Sequence, residues 1–534
     1  MDRPFLSLLY PTEASAELHR ASENLPRIDE DTAEQLGLSA LLPLKSCALS
    51  DFFTADPEVI LYRQRTFADL LRYPTAVATL SRVLPILCDI RELRALESAG
   101  GDSGDAYLYS MTEIELYVSC IDLLAEGLTD DGDRFESPAL TTLYKTVREL
   151  AESDHYRELN EKLNALSSRV REVRSITVGV NLDEQLRPVE AGVLSVNGET
   201  FKSGKLLDKI LRMSFKNDAF TCIAALAPFG GRGQSENREA ALNSAFHGAL
   251  AEVFRDSVKG WRAIVGDYVL SNTDFLLSIL PEIEFVTRAI AYLEHLTALG
   301  KDYVFPTLAA PEEKAFAATG LYNPDVALRI DGPVVDNDFA FDDDARIYIL
   351  TGPNRGGKSV ITCAVGIAQA LCQLGLPVPA KSATLSPADG IFVHFPDGAD
   401  DTIDKGRLGE ECARLREIFD ALTENSLVLL DESLSSTGAY EAAYIAAELL
   451  ASFGALGVRG IFSTHLHELA ASTDAINEKS ASRGGVRIDN LVAGIEEGLR
   501  SFLILRRKPD GRSYAGDIAD KYGLSFEKLT NKEN

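Results

Sequence analysis

The sequence predicts a multidomain protein, an α-helical region carrying a small β-hairpin followed by an α/β domain of the P-loop NTPase type. Three observations predict it. Apolar residues recur at three- and four-residue steps over 55–150, and helical patterning returns over 238–300. Between them the period shortens to β-rich runs near 175–196. From about 306 onward strands, Gly-rich turns and helices alternate, and one such turn reads Gly352-Pro353-Asn354-Arg355-Gly356-Gly357-Lys358-Ser359.

A chain of 534 residues has room for two to four cores. Its apolar fraction of 46% and charged fraction of 25% are those of an ordinary globular protein. No run approaches the roughly 18 apolar residues of a membrane span, so no membrane partner is expected. The start, Met1-Asp2-Arg3-Pro4-Phe5, has no basic-then-apolar signature of a secretory signal. Seven cysteines, at 47, 88, 120, 222, 363, 372 and 412, form no C-x-x-C pair. That argues against a disulfide framework or structural zinc, and a reducing, cytoplasmic setting is the simplest inference. The net charge of −28 is opposite in sign to that of most dedicated DNA binders, although it describes an average surface rather than a groove.

Along the chain, Leu61, Phe67, Leu70 and Leu71, then Val83, Leu84 and Leu87, mark helices. Loops are signalled at Gly100–Asp105 and Asp130–Asp133, and Met111 to Leu128 between them reads as a helix. Residues 139–174 form a charged amphipathic stretch, read as a solvated helix face. The runs Ser175–Val180 and Ala191–Val196, separated by turn-rich residues, read as a β-hairpin on a helical arm. Then comes a basic cluster, Lys202, Lys205, Lys209, Arg212 and Lys216, followed by Arg232 in a Gly-rich stretch. It reads equally as a polyanion contact or as a basic helix face paired with acidic neighbours.

The candidate site is in the C-terminal half. The β-prone run Arg346–Leu350 feeds the Gly352–Ser359 turn, and a helical pattern follows from Val360. This strand–loop–helix context is what a phosphate-binding loop requires. The glycines Gly352, Gly356 and Gly357 let the backbone around Pro353 and Asn354 curl, so that N–H groups face phosphate oxygens at a helix N-terminus. Lys358 would contact the β- and γ-phosphates and the Ser359 hydroxyl would bind Mg²⁺. Downstream, the buried-strand run Ser426–Leu430 ends in Asp431-Glu432. Asp431 is placed to hold Mg²⁺ through water, and Glu432 to act as general base. A third run, Gly460–Thr464, ends at His465, a candidate partner of the γ-phosphate or the lytic water.

On these residues the chain resembles the DNA mismatch-repair MutS family of ABC-type ATPases. Thr351-Gly352-Pro353-Asn354 with Gly356-Gly357-Lys358-Ser359 is similar to its phosphate loop. Val378-Pro379-Ala380 and Gly398-Ala399-Asp400-Asp401 match landmarks that follow it, and Leu429–Glu432 and Ser463-Thr464-His465 resemble its catalytic strand and A-T-H motif. Ser513-Tyr514, Ile518-Ala519 and Gly523-Leu524 resemble the family's ending, and Asn323-Pro324 and Val335–Asp338 the segment before the loop. The likeness is specific over roughly 320–525 and looser over 40–300.

The resemblance implies an N-terminal segment and lever-like helical core over 1–135, a clamp-like arm with the hairpin over 136–235, returning lever helices over 236–305, and an ABC-type ATPase domain over 306–534. It implies ATP as substrate, Mg²⁺ as cofactor, Asn337 near the nucleotide, and a homodimer through the ATPase domains acting on DNA, with other repair or recombination proteins as partners. Two departures stand out. Where the family has a Ser/Thr pair reaching the partner's γ-phosphate, Asp404–Arg407 leads here into Leu408-Gly409-Glu410-Glu411, so Arg407 or a backbone N–H is the expected substitute. Only about 40 residues precede the lever-like region and about 10 follow Leu524, so neither a mismatch-reading domain nor a C-terminal module is expected.

The leading expectation is therefore an Mg·ATP-dependent ATPase switching a dimeric clamp on DNA without direct mismatch reading. The alternative is an ATPase switch in a protein or ribonucleoprotein assembly that does not bind DNA, which the acidity favours. A transporter-type ATPase is disfavoured by the lack of an L-S-G-G-Q motif.

Overall fold

The computed structural model describes residues 5–21, 28–100, 106–154, 156–161, 163, 175–182, 184–185, 188–197, 199, 224–225, 274–330, 332–395, 407–496, 499–508, 524 and 528–529. Internal contacts divide the chain into two compact units: Met1–Leu6, Tyr73–Phe135 and Leu140–Ile283 in one, Ser7–Arg72, Glu136–Ala139 and Glu284–Asn534 in the other.

In the first unit the long helices Pro74–Gly100 and Ala106–Leu128 pack together. Ala76, Leu80, Val83, Leu87 and Ile90 form one buried stripe, and Ile114, Tyr117, Ile121, Leu124 and Leu128 the other. Steps of three and four residues keep each stripe on one face of its helix. The second helix begins five residues before the expected Met111, because side-chain periodicity weakens at Ala106-Tyr107. The hairpin is present as β1 (Ser175–Leu182) and β2 (Pro188–Asn197), antiparallel with a register shift after Thr177. A two-residue strand β3 (Ala224–Ala225) extends it, too short to read from sequence.

The second unit holds two sheets. The smaller has the order β4 (Thr307–Leu308), β8 (Ser382–Leu385), β5 (Phe316–Leu321), β6 (Asn337–Phe341). The larger is built from β7 (Ile347–Thr351), β9 (Ile391–His394), β10 (Leu427–Asp431), β11 (Arg459–Ser463), β12 (Ile488–Glu496) and β13 (Leu499–Arg506), in the order β13-β12-β7-β11-β10-β9. All its pairings are parallel except β12 with the edge strand β13.

Strands β7, β10 and β11 are buried on both faces, which is why they read as unbroken apolar runs. Ile347, Ile349, Val428, Leu430 and Phe462 face one core with Leu415 and Ile418 of helix Arg407–Ala421 and Ala446, Leu450 and Phe453 of helix Ala439–Leu456. Alternate residues point the other way. There Gly366 of helix Lys358–Gln373 comes so close to Leu429 that an added Cβ would lie 2.7 Å from the leucine Cδ1.

Ser7–Arg72 packs with the α/β unit: Leu36 meets Gly366, and Gln373 donates to the Thr54 carbonyl at 2.9 Å. In helix Pro57–Arg72, Phe67 and Leu70 are buried as the stripe predicts, Leu71 only half-buried, and Leu61 is exposed. Trp261 and all of 226–273 lie outside the described residues.

Candidate nucleotide site

Because β7, β11 and β10 run parallel, their carboxyl ends open on one edge of the sheet, the edge where parallel α/β sheets bind ligands. β7 ends at Thr351 and enters the glycine turn, β10 ends at Asp431, and β11 ends two residues before His465. The ends are held in step by backbone bonds: Thr464 N–H donates to Leu350 O at 2.9 Å and Glu432 N–H to Ser463 O at 2.8 Å.

The turn needs its glycines for different reasons. Gly352 (φ 144°) and Gly357 (φ 93°) occupy backbone conformations that L side chains avoid. At Gly356 a Cβ would stand 2.8 Å from the Pro353 carbonyl oxygen. Arg355 adopts φ 58° without being glycine, at a cost of about 1–2 kcal/mol. The chain leaves the turn at Gly357 directly into helix Lys358–Gln373, so the first N–H groups of that helix have no intrahelical acceptor and face the turn.

Lys358 is buried, and its Nζ donates to the carbonyls of Gly352 and Pro353, both at 3.4 Å. Burial holds its ammonium below the usual lysine range, while Glu432 and Asp431 pull it back up. Ser359 is exposed on the first helical turn. Asp431 is 8% exposed, and its buried Oδ1 has no hydrogen-bond partner among the described residues. Glu432 takes φ 50° and its Oε1 lies 2.6 Å from His465 Nε2, both side chains remaining partly open to solvent.

Next to the turn is a cavity of about 340 Å³. Lys358, Ser359, Gly356, Gly357 and Glu432 form its polar end; Tyr322, Val326, Ile330, Val334, Val335 and Phe502 form an apolar wall. Asn323 fixes this wall to the loop helix: its amide donates to Val360 O at 3.2 Å while its oxygen caps helix Pro324–Arg329. Asn337 also lines the cavity. Its amide donates to Phe502 O at 3.2 Å and accepts from Ile504 N–H at 2.7 Å, so it anchors Phe502 on β13.

The structure thus brings Gly352, Gly356, Gly357, Lys358, Ser359, Asp431, Glu432, His465 and Asn337 to one sheet edge and its cavity; Pro353 and Asn354 lie within the turn itself. Sequence reasoning missed Phe502, Tyr322, Val334 and Arg355 as lining residues; only Arg355, inside the motif, carried a local signal. Lys202, Lys205, Lys209, Arg212, Lys216 and Arg232 lie outside the described residues, as do Asp404–Gly406 and Gly398–Asp401. Among hydroxyls after Glu432, Ser436 donates to Glu411 at 2.8 Å and Thr437 to Glu441 at 2.6 Å. Among the described residues no helix is long and apolar enough to cross a membrane, and no cluster of three or more His, Cys, Asp or Glu could hold a metal alone.

Two family models match the chain: MutS domain V over residues 348–502 and the MutS2 N-terminal domain over 55–299. Among relatives, Endonuclease MutS2 of Thermus thermophilus is 33% identical over 199 residues, 37% of this chain and 26% of the relative. DNA mismatch repair protein MutS 1 of Haloarcula marismortui is 33% identical over 195 residues, 36% of this chain and 21% of the relative. DNA mismatch repair protein MutS of Synechococcus sp. is 34% identical over 249 residues, 44% of this chain and 26% of the relative. The matches thus span about a quarter of these relatives' length.

Proposed function

Taking as premise that the chain belongs to the MutS family, we propose that it is an Mg²⁺-dependent ATPase whose site is the sheet edge formed by Gly352–Ser359, Asp431, Glu432 and His465. The observation that carries the reading is the convergence of three parallel strand ends, each bearing a polar group suited to a triphosphate, beside a cavity with an apolar wall. The wall suits a nucleobase, and the loop N–H groups and Lys358 suit its phosphates.

Asp431 and Ser359 would hold Mg²⁺, and the unpartnered Asp431 Oδ1 fits that role; the bound ion neutralises charge on phosphate oxygens. Lys358 leaves its two carbonyl acceptors for the β- and γ-phosphates. Glu432 orients a water and accepts its proton, and His465 holds the Glu432 carboxylate in place. Catalysis is then positioning and charge neutralisation. The test is direct: purified protein with Mg²⁺ should bind adenine nucleotides and release phosphate from ATP. Absence of both binding and release would overturn the reading.

We extend the proposal to the whole molecule as the resemblance implies. Residues 306–534 are the ATPase domain, 1–135 an N-terminal segment, packed with the α/β unit as far as Arg72, and a lever-like helical core, 136–235 a clamp-like arm and 236–305 returning lever helices; two ATPase domains form a homodimer that switches on DNA. The relatives named for DNA mismatch repair support this, and so does the basic cluster from Lys202 to Arg232. DNA affinity should fall steeply with salt and weaken when Lys205, Lys209 and Arg212 become Glu. The net charge of −28 favours a second reading, an ATPase switch in a protein or ribonucleoprotein assembly without DNA. Gel shift and ATPase stimulation with duplex DNA, branched DNA and RNA separate the two.

A further inference from the structure

β9 and β10 are parallel neighbours, with His394 in register with Leu430. Beyond Asp431 the chain turns through Glu432, Ser433 and Leu434. Glu432 (φ 50°) and Leu434 (φ 66°) are both left-handed without being glycine, and Ser433 lies between them. Such a turn persists only where its surroundings over-determine it, and each of its residues is tied separately. Glu432 N–H donates to Ser463 O on β11 at 2.8 Å. The Leu434 side chain is sealed in the helix-covered core. Ser433, 2% exposed, reaches the opposite way to β9, where its Oγ lies 2.7 Å from His394 Nδ1 and 3.4 Å from His394 O.

The link between Ser433 and His394 does not depend on the imidazole tautomer. With Nδ1 unprotonated the hydroxyl donates to the ring. With Nδ1 carrying the proton the ring donates, and the hydroxyl is free to turn toward the carbonyl. Both side chains are buried, so the bond forms where water cannot replace it. Neither residue lines the cavity.

We infer that His394 is a positioning residue for Glu432: from β9 it holds Ser433, β11 holds the Glu432 backbone, and between these anchors the carboxylate is kept facing His465 and the phosphate loop. The inference rests on Glu432 being the hydrolytic base. It predicts an effect on the chemical step separate from nucleotide binding, because displacement of a catalytic group by about an ångström costs up to 10²-fold in rate.

The experiment measures steady-state hydrolysis and ADP affinity for wild type, His394→Ala, His394→Asn and Ser433→Ala. Ser433→Ala removes a single oxygen and is the variant expected to fold without repair. It should lower kcat about tenfold with the ADP Kd within twofold. His394→Asn, whose amide can reach Ser433 from the same side as Nδ1, should recover most of the rate lost in His394→Ala. His394→Ala combined with Ser433→Ala should be no slower than the worse single variant, and Ser433→Ala placed in a Glu432→Gln protein should add no further loss. Wild-type kcat in Ser433→Ala, equal losses in kcat and ADP affinity, or independent losses in the Glu432→Gln background would each overturn the inference. A wild-type protein that binds no nucleotide would instead remove the ATPase reading beneath it, and the ADP titration shows which has failed.

Discussion

His465 Nε2 lies 2.6 Å from Glu432 Oε1, joining the end of β11 to the residue just past β10 across neighbouring parallel strands. The contact spans two elements whose register is set by backbone bonds, so the imidazole can fix the carboxylate without reaching the nucleotide itself. Glu432→Gln should keep nucleotide affinity and lower kcat by about 10²–10⁴-fold, the range for loss of a general base. His465→Ala should lower kcat by a smaller factor, because the carboxylate remains. Stopped-flow phosphate release with a parallel ADP titration checks both, and normal turnover by Glu432→Gln would remove it as base.

In the proposed site Lys358 would link nucleotide binding to proton uptake. Burial sets its folded-state affinity for a proton below the free lysine value of 10.5. In the window between that lowered value and 10.5 the folded, empty protein holds fewer protons than the unfolded chain, so this group's contribution to stability rises with pH there. A bound polyphosphate demands the charged form. Nucleotide affinity should therefore weaken as pH climbs through the lowered Lys358 value, by at most about tenfold per pH unit. Lys358→Ala should abolish high-affinity binding and with it this limb of the pH profile. Calorimetry in buffers of different ionisation enthalpy reads the proton uptake; a flat profile across this window would detach Lys358 from the phosphates.

Gly356 and Gly352 separate loop shape from loop chemistry. Gly356→Ala sets a methyl 2.8 Å from the Pro353 carbonyl oxygen, and Gly352→Ala sets one 2.7 Å from Ala493 Cβ on β12. Gly352 also has a left-handed φ of 144°. Each substitution should cost about 1–3 kcal/mol of stability from strain and overpacking. Each should weaken ADP binding more than tenfold, since the N–H groups no longer converge. Thermal denaturation and fluorescent-nucleotide titration are the measurements; unchanged affinity in both variants would mean the loop does not hold phosphate in this conformation.

What could be read from the sequence follows the range of the interactions involved. The glycine turn after β7, the β10 end at Asp431 and the β11 end before His465 are local patterns, an apolar run followed by residues with special backbone or charge, and these strand ends lie where the sequence puts them. The apolar wall of the cavity is assembled from Tyr322, Val334 and Phe502, separated by up to 180 residues, with Phe502 brought in by Asn337. No periodicity records that. Helical stripes show which residues are apolar but not which way a helix turns, hence the exposed Leu61 beside the buried Phe67. Likewise Leu36 packing on Gly366, and Thr54 receiving Gln373, joins the N-terminal segment to the α/β unit through contacts with no local signature. The left-handed turn from Glu432 to Leu434 contains no glycine, so nothing in the residue types announces it.

Asp431 allows the metal to be tested without measuring turnover. Its Oδ1 is buried, has no partner among the described residues, and stands next to another carboxylate in sequence. A buried oxygen in that state costs free energy unless a donor or cation meets it, and the nearby Lys358 ammonium, felt by Asp431 through charge, donates to the Gly352 and Pro353 carbonyls instead. Asp431→Asn removes the charge while keeping the shape, so the metal-free protein should melt at the same temperature as wild type or higher. The same variant should lose the added stabilisation that Mg²⁺ with ADP confers on wild type, which by mass action amounts to about 2.7 kcal/mol at a ligand concentration one hundred times Kd. Ser359→Ala should reduce that increment without raising the melting temperature of the metal-free protein, because its hydroxyl is exposed rather than buried. Differential scanning calorimetry with and without Mg·ADP gives both quantities. If Asp431→Asn kept the full Mg²⁺-dependent increment, the carboxylate would not be a metal ligand and the unpartnered oxygen would need another explanation.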